Sequence, residues 1–154
     1  MRWVLAAAAT LLTFVAAVAF RAPDASTGPE PILYGRDTCA FCRMHLSQPG
    51  FAAEMRLPGG TLAKYDDPGC LALAAAGQTP VAAWVEDNLS GRLLALDKAT
   101  FVRGGELQTP MGHGVLAFED PGVARAFASA HKAAVLPLQS ILQSITTPKG
   151  TVHP

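Results

Sequence analysis

The sequence predicts an α+β protein made of two small sheets, each covered by one helix. Two observations carry this. The first is an internal repeat: "TLAKYDDPGCLALAAAG" (61–77) and "VLAFEDPGVARAFASA" (115–130) both run Leu-Ala, an aromatic residue, an acidic pair, Pro-Gly and an alanine-rich tail, with Lys64 as a single insertion. The second is "PVAAWVEDNLSGRLLAL" (80–96), two apolar runs around a polar turn ending in Ser90-Gly91, which is the pattern of a hairpin with a loop longer than two residues.

Taken in chain order, the N-terminus comes first. Arg2 precedes an uncharged apolar run over 3–20, and "AVA" at 17–19 offers the small residues that signal peptidase needs, so 1–19 is expected to be a signal peptide or a retained membrane anchor. Either way Arg2 stays on the cytoplasmic side and the rest of the chain is exported. Residues 20–34, with "RAPDASTGPEP", lack a periodic apolar pattern and are expected to be a flexible tether. A domain over 35–145 follows, built of two repeats at about 35–86 and 92–138, and 146–154 is expected to be a disordered tail.

Within each repeat a short strand leads into a helix. Asp67 and Asp120 sit where N-caps belong, with Pro68 and Pro121 at the first helical position. Cys70 aligns with Val123, which predicts a buried cysteine acting as a small hydrophobe in the packed face of the first helix. "KATFVRGG" (98–105) adds a short amphipathic piece that ends at paired glycines. "AAVLPLQSILQSI" (133–145) predicts a strand near Val135 and a short closing helix.

Charge excludes some classes of function. Twelve basic and twelve acidic side chains balance, which leaves no electrostatic footprint for nucleic acid and no polybasic patch for anionic lipid. Three cysteines leave an odd one in an exported chain, so a disulfide scaffold is a poor explanation and a chemical role a better one.

That role centres on "DTCAFCRMHL" (37–46), where Cys39, Cys42, Met44 and His45 fall close together. A Cys-x-x-Cys pair serves dithiol redox chemistry, zinc or a softer metal. Redox catalysis of the thioredoxin type needs the pair at a helix N-terminus, and the Pro49-Gly50 turn follows too soon for a long helix. Zinc would take Cys39, Cys42, His45 and His113, but gives no reason for Met44. Thiolate with thioether is the set that selects Cu(I). A second methionine, Met111, lies in the Pro/Gly loop "TPMGHG" with His113 two residues on, outside any apolar run that would explain it as core.

With these residues the chain resembles the NosL family, copper-binding accessory proteins for the assembly of nitrous oxide reductase. The resemblance rests on "CAFCRM", beside the family's Cys-x-x-Cys-Gly-Met, on "DNLSGRLLALDKATFVRGG", and on "TPMGHGVLAF", beside its Pro-Met-Gly motif, in that order over about 37–138. It implies two similar ββαβ units and an exported, non-enzymatic Cu(I) chaperone. The implied copper ligands are Cys42, Met44 and Met111, with Cys39 and His113 as neighbouring candidates. The implied partner is nitrous oxide reductase, its assembly machinery or another exported copper enzyme, with the protein in the periplasm, secreted, or anchored to the inner membrane. Two positions depart from the family: Arg43 stands where the motif has Gly, and no cysteine follows the apolar run, so attachment would need an uncleaved N-terminal helix.

Overall fold

The structure, a computed structural model, describes residues 28–146. The expected signal or anchor segment, the tether before residue 28 and the tail after residue 146 lie outside the described residues. Strand β1 (Ala53–Arg56) is central in the first sheet, antiparallel on one side to β2 (Leu62–Tyr65), with Ala53 opposite Tyr65. On its other side it pairs with β3 (Ala82–Glu86), and β3 pairs with β4 (Leu93–Ala95), which is the expected hairpin. The second sheet has β5 (Thr100–Arg103) between β6 (Val115–Phe118) and β7 (Ala134–Leu136), again all antiparallel. Helix α1 (Pro68–Ala75) follows β2, and α2 (Pro121–Ala130) follows β6. The orders β2-β1-β3 and β6-β5-β7 are one ββαβ topology used twice, with β4 and a 3₁₀ turn at Leu96–Lys98 as the link. Helix α3 (Leu138–Thr146) closes the chain against α1.

Both helices start as their sequences dictate. Asp67 accepts the Cys70 amide at 2.9 Å, Asp120 accepts those of Gly122 and Val123, and a proline opens each helix. A cap of this kind contributes about 1 kcal/mol.

Their surroundings differ. Helix α1 packs against β1, β2, β6 and α3, so Pro68 through Ala72 are all buried. Helix α2 lies on the outside and buries only one stripe, Ala124 and Ala128. The expected equivalence of Cys70 and Val123 therefore fails: Cys70 is buried, as expected, but Val123 is 38% exposed. The repeated sequence places both residues in a first helical turn, and only the first of those turns is enclosed by the other unit.

Strand β1 alternates apolar and polar residues, Ala53-Glu54-Met55-Arg56, yet both of its faces are covered, so Glu54 and Arg56 are buried as well. Some of their polar atoms find partners: Glu54 accepts the Glu30 amide through one oxygen, and Arg56 donates to the carbonyls of Gly28 and Gly60 while its guanidinium covers the Trp84 ring. Among the described residues the other Glu54 oxygen has only the Lys64 ammonium at 3.8 Å, and Arg56 Nε makes no hydrogen bond. Lys64 donates to the Pro31 carbonyl and Tyr34 to Glu86, so residues 28–34 are bonded to the first sheet although the sequence suggested a tether there. A core shared by the two units contains Leu46, Met55, Tyr65, Leu71, Val85, Phe101, Val115 and Ile141. A smaller cluster under α2 contains Val102, Leu107, Leu116 and Phe118.

Candidate metal centre

The first motif folds as a tight loop on the edge of the first sheet. Cys39 donates its amide to the Met44 carbonyl at 2.8 Å, Arg43 donates back to Cys39 at 3.0 Å, and Ala40 donates to Lys64 of β2 at 2.8 Å. The reversal needs a left-handed residue, and Arg43 supplies it with φ at +68°. Left-handed backbone is costly for a residue with a Cβ, which gives a physical reason for glycine at this place in the family motif. The loop turns Cys39 inward until it is fully buried and leaves Cys42 partly exposed. Phe41, Met44 and His45 face outward, Met44 with 49% of its surface exposed.

The Cys70 thiol donates to the Cys39 sulfur, and the amides of Cys42, Asp66 and Phe41 also point at it. Despite burial, these donors pull the Cys39 thiol well below its ordinary range, which favours the thiolate at this corner. Cys70 is pushed up because its proton is shared with Cys39 and because it is buried, with the Asp67 carboxylate beside it. Burial pushes the Cys42 thiol up as well. The three sulfur atoms all lie within 4.8 Å of one another.

The second motif is docked onto the N-terminus of α1 by a buried carboxylate. Asp67 caps its own helix with one oxygen, while the other accepts the Thr109 hydroxyl at 3.1 Å and the Met111 amide at 3.3 Å. The His113 ring lies directly over Gly69, where a Cβ would come within 2.2 Å of it. A Cβ on Gly114, which has φ at +64°, would strike the Gly104 carbonyl at 2.4 Å. Close approach at both places requires glycine. As a result Asp67, Cys70 and His113 form a second group of donors within 4.8 Å, and Met111 packs against the same core as Cys42.

Cys39, Cys42, Met111 and His113 are thus gathered around the first turn of α1. Met44 stands at the exposed rim, and His45 is exposed and belongs to neither donor group found among the described residues. The Cys39–Cys42 pair occupies a turn and no helix begins there, unlike the arrangement of a thioredoxin-type dithiol. The residue that sequence reasoning missed is Cys70. Its signal was the Asp67 cap, which fixes Cys70 in the first turn of a helix, where backbone amides point outward.

Residues 32–146 match the family model for NosL. The crystal structure of the copper chaperone NosL from Shewanella denitrificans has the same fold, with a TM-score of 0.69 at 18% sequence identity, over 76% of this chain and 97% of that one. No curated protein matches the chain in sequence.

Proposed function

The chain belongs to the NosL family, and from that premise we propose that it is an exported, non-enzymatic chaperone that binds Cu(I) and passes it to a copper-accepting protein. The recipient in this reading is nitrous oxide reductase, its assembly machinery or a related exported copper enzyme. The cargo is held by Cys42, Met44 and Met111, with Cys39 and His113 in reach. The domain spans 35–145, and 1–19 directs export and, if uncleaved, tethers the protein to the inner membrane on the periplasmic side.

One observation carries the proposal: two motifs about seventy residues apart in sequence meet at the N-terminus of α1, the first through the Cys39–Cys70 contact and the second through Asp67. That junction offers thiolate and thioether sulfur together, the chemistry that favours Cu(I). A chaperone must also release its ion, and the rim favours that. Met44 is exposed and Cys42 partly so, which lets an incoming ligand from a partner reach the ion before the outgoing one has left. The zinc reading with Cys39, Cys42, His45 and His113 has less support, because His45 is exposed and joins neither donor group, and His113 groups with Asp67 and Cys70 instead of with Cys39 and Cys42.

The test is an anaerobic Cu(I) titration of the reduced protein against a competing chelator, with Met111→Leu in parallel. That substitution keeps volume and apolar character, so stability should fall by less than about 1.5 kcal/mol. The variant is expected to give up the ion bound between the motifs at chelator concentrations the parent withstands. Identical titrations would rule out Met111 as a ligand.

A further inference from the structure

The proposed site leaves Cys70 without a role, although its sulfur completes a triangle with those of Cys39 and Cys42 in which no edge exceeds 4.8 Å. A metal lying in the plane of three thiolates at about 2.3 Å from each needs edges of roughly 4.0 Å. The triangle therefore has to close by less than about 1 Å to surround an ion. Its corners are held independently of any metal: Cys39 by its backbone bonds to Met44 and Arg43, Cys70 by the Asp67 cap. Amides of Cys42, Asp66 and Phe41 already point at one corner. His113 groups with Cys70 and Asp67 but not with Cys39 and Cys42, so the described residues assemble no tetrahedral Cys₃His set of the kind zinc takes. A three-sulfur, three-coordinate hole suits a soft monovalent ion better.

We propose that Cys39, Cys42 and Cys70 form a second, inner Cu(I) position behind the methionine-containing one, the two ions sharing the Cys42 thiolate. The inference rests on the copper reading above and extends it from one ion to two. Charge supports the pair. Three thiolates around one Cu(I) leave a net charge of −2 in a buried place, and a second Cu(I) reduces it to −1, which costs less to desolvate. Binding involves no change of oxidation state. Each cysteine that is still a thiol releases its proton to solvent as its sulfur bonds the ion, and regains one when the ion leaves. Cys42 alone of the three is partly exposed, so the inner ion leaves through it toward Met44 and Met111.

The experiment is the number of Cu(I) ions retained per reduced chain after anaerobic loading and gel filtration in the presence of a weak chelator, read for the parent, Cys70→Ser and Met111→Leu. Two ions in the parent and one in each variant are expected, with X-ray absorption of the loaded parent showing a coordination shell made of sulfur. A single ion per parent chain overturns the inner position whatever the variants do, as do two ions in a folded Cys70→Ser. The parent's count decides the matter even if Cys70→Ser fails to fold. A parent that retains no Cu(I) would instead remove the copper reading itself.

Discussion

Asp67 bears on both folding and copper binding, and replacing it tests the joint between the units. In Asp67→Ala the α1 cap is lost, at about 1 kcal/mol. The Thr109 hydroxyl and the Met111 amide lose an ionised acceptor, at the low end of the charged hydrogen-bond range because both residues are partly exposed, roughly 1.5 kcal/mol each. Relief from desolving a fully buried carboxylate offsets part of this, leaving a net loss of about 3 kcal/mol. For a domain of this size that lowers Tm by roughly 10 °C. The repeat provides the control. Asp120 makes the same cap on α2, is exposed, and accepts only amides of its own helix, so Asp120→Ala should lose only about 1 kcal/mol. Urea denaturation of the two metal-free variants reads the difference, and Cu(I) competition should show weaker binding in Asp67→Ala alone. Equal losses in the two variants would refute the claim that Asp67 joins the units.

Arg43→Gly should stabilise the metal-free protein by about 1 kcal/mol, since Arg43 holds φ at +68°; an unchanged denaturation midpoint would show that its side chain compensates. Oxidation that links Cys39 to Cys42 consumes two sulfurs, so the oxidised protein should bind Cu(I) far more weakly than the reduced one, and equal chelator competition would show that neither is a ligand. Acid dependence should involve Asp87: burial raises its carboxyl, but the Ser90 hydroxyl and the Glu119 and Ser90 amides outweigh that and hold it below the ordinary value. A lowered native pKa stabilises above the unfolded value of about 3.9 and is lost as pH falls through the native one, so Asp87→Asn should flatten the low-pH limb of stability against pH. An unaltered limb in that variant would contradict the assignment.

The sequence by itself determined the repeat, the Asp67 and Asp120 caps, the β3–β4 hairpin and the two sulfur-bearing motifs. Each depends on neighbours a few residues away: a cap needs an acceptor just before a helix, a hairpin needs two apolar runs around a turn, and two copies of one pattern fold alike. Only the tertiary structure decided the remainder. Strand β1 escaped the sequence reading because its alternating stretch is only four residues long, and the burial of its polar face depends on the distant Gly28 and Glu30, which bond Arg56 and Glu54 and which no local window contains. Cys70 and Val123 occupy the same place in the repeat, yet α1 is enclosed by β6 and α3 while α2 has solvent on its outer side, so one became a buried sulfur beside Cys39 and the other a surface residue. Met111 and His113 could be recognised as candidates from their loop, but their meeting with the cysteines depends on one buried carboxylate accepting bonds from both units, and on a glycine at position 69 that leaves room for an imidazole. Local patterns specify elements; which surfaces of those elements meet is fixed by packing across the chain, and the candidate metal centre lies where two such surfaces meet.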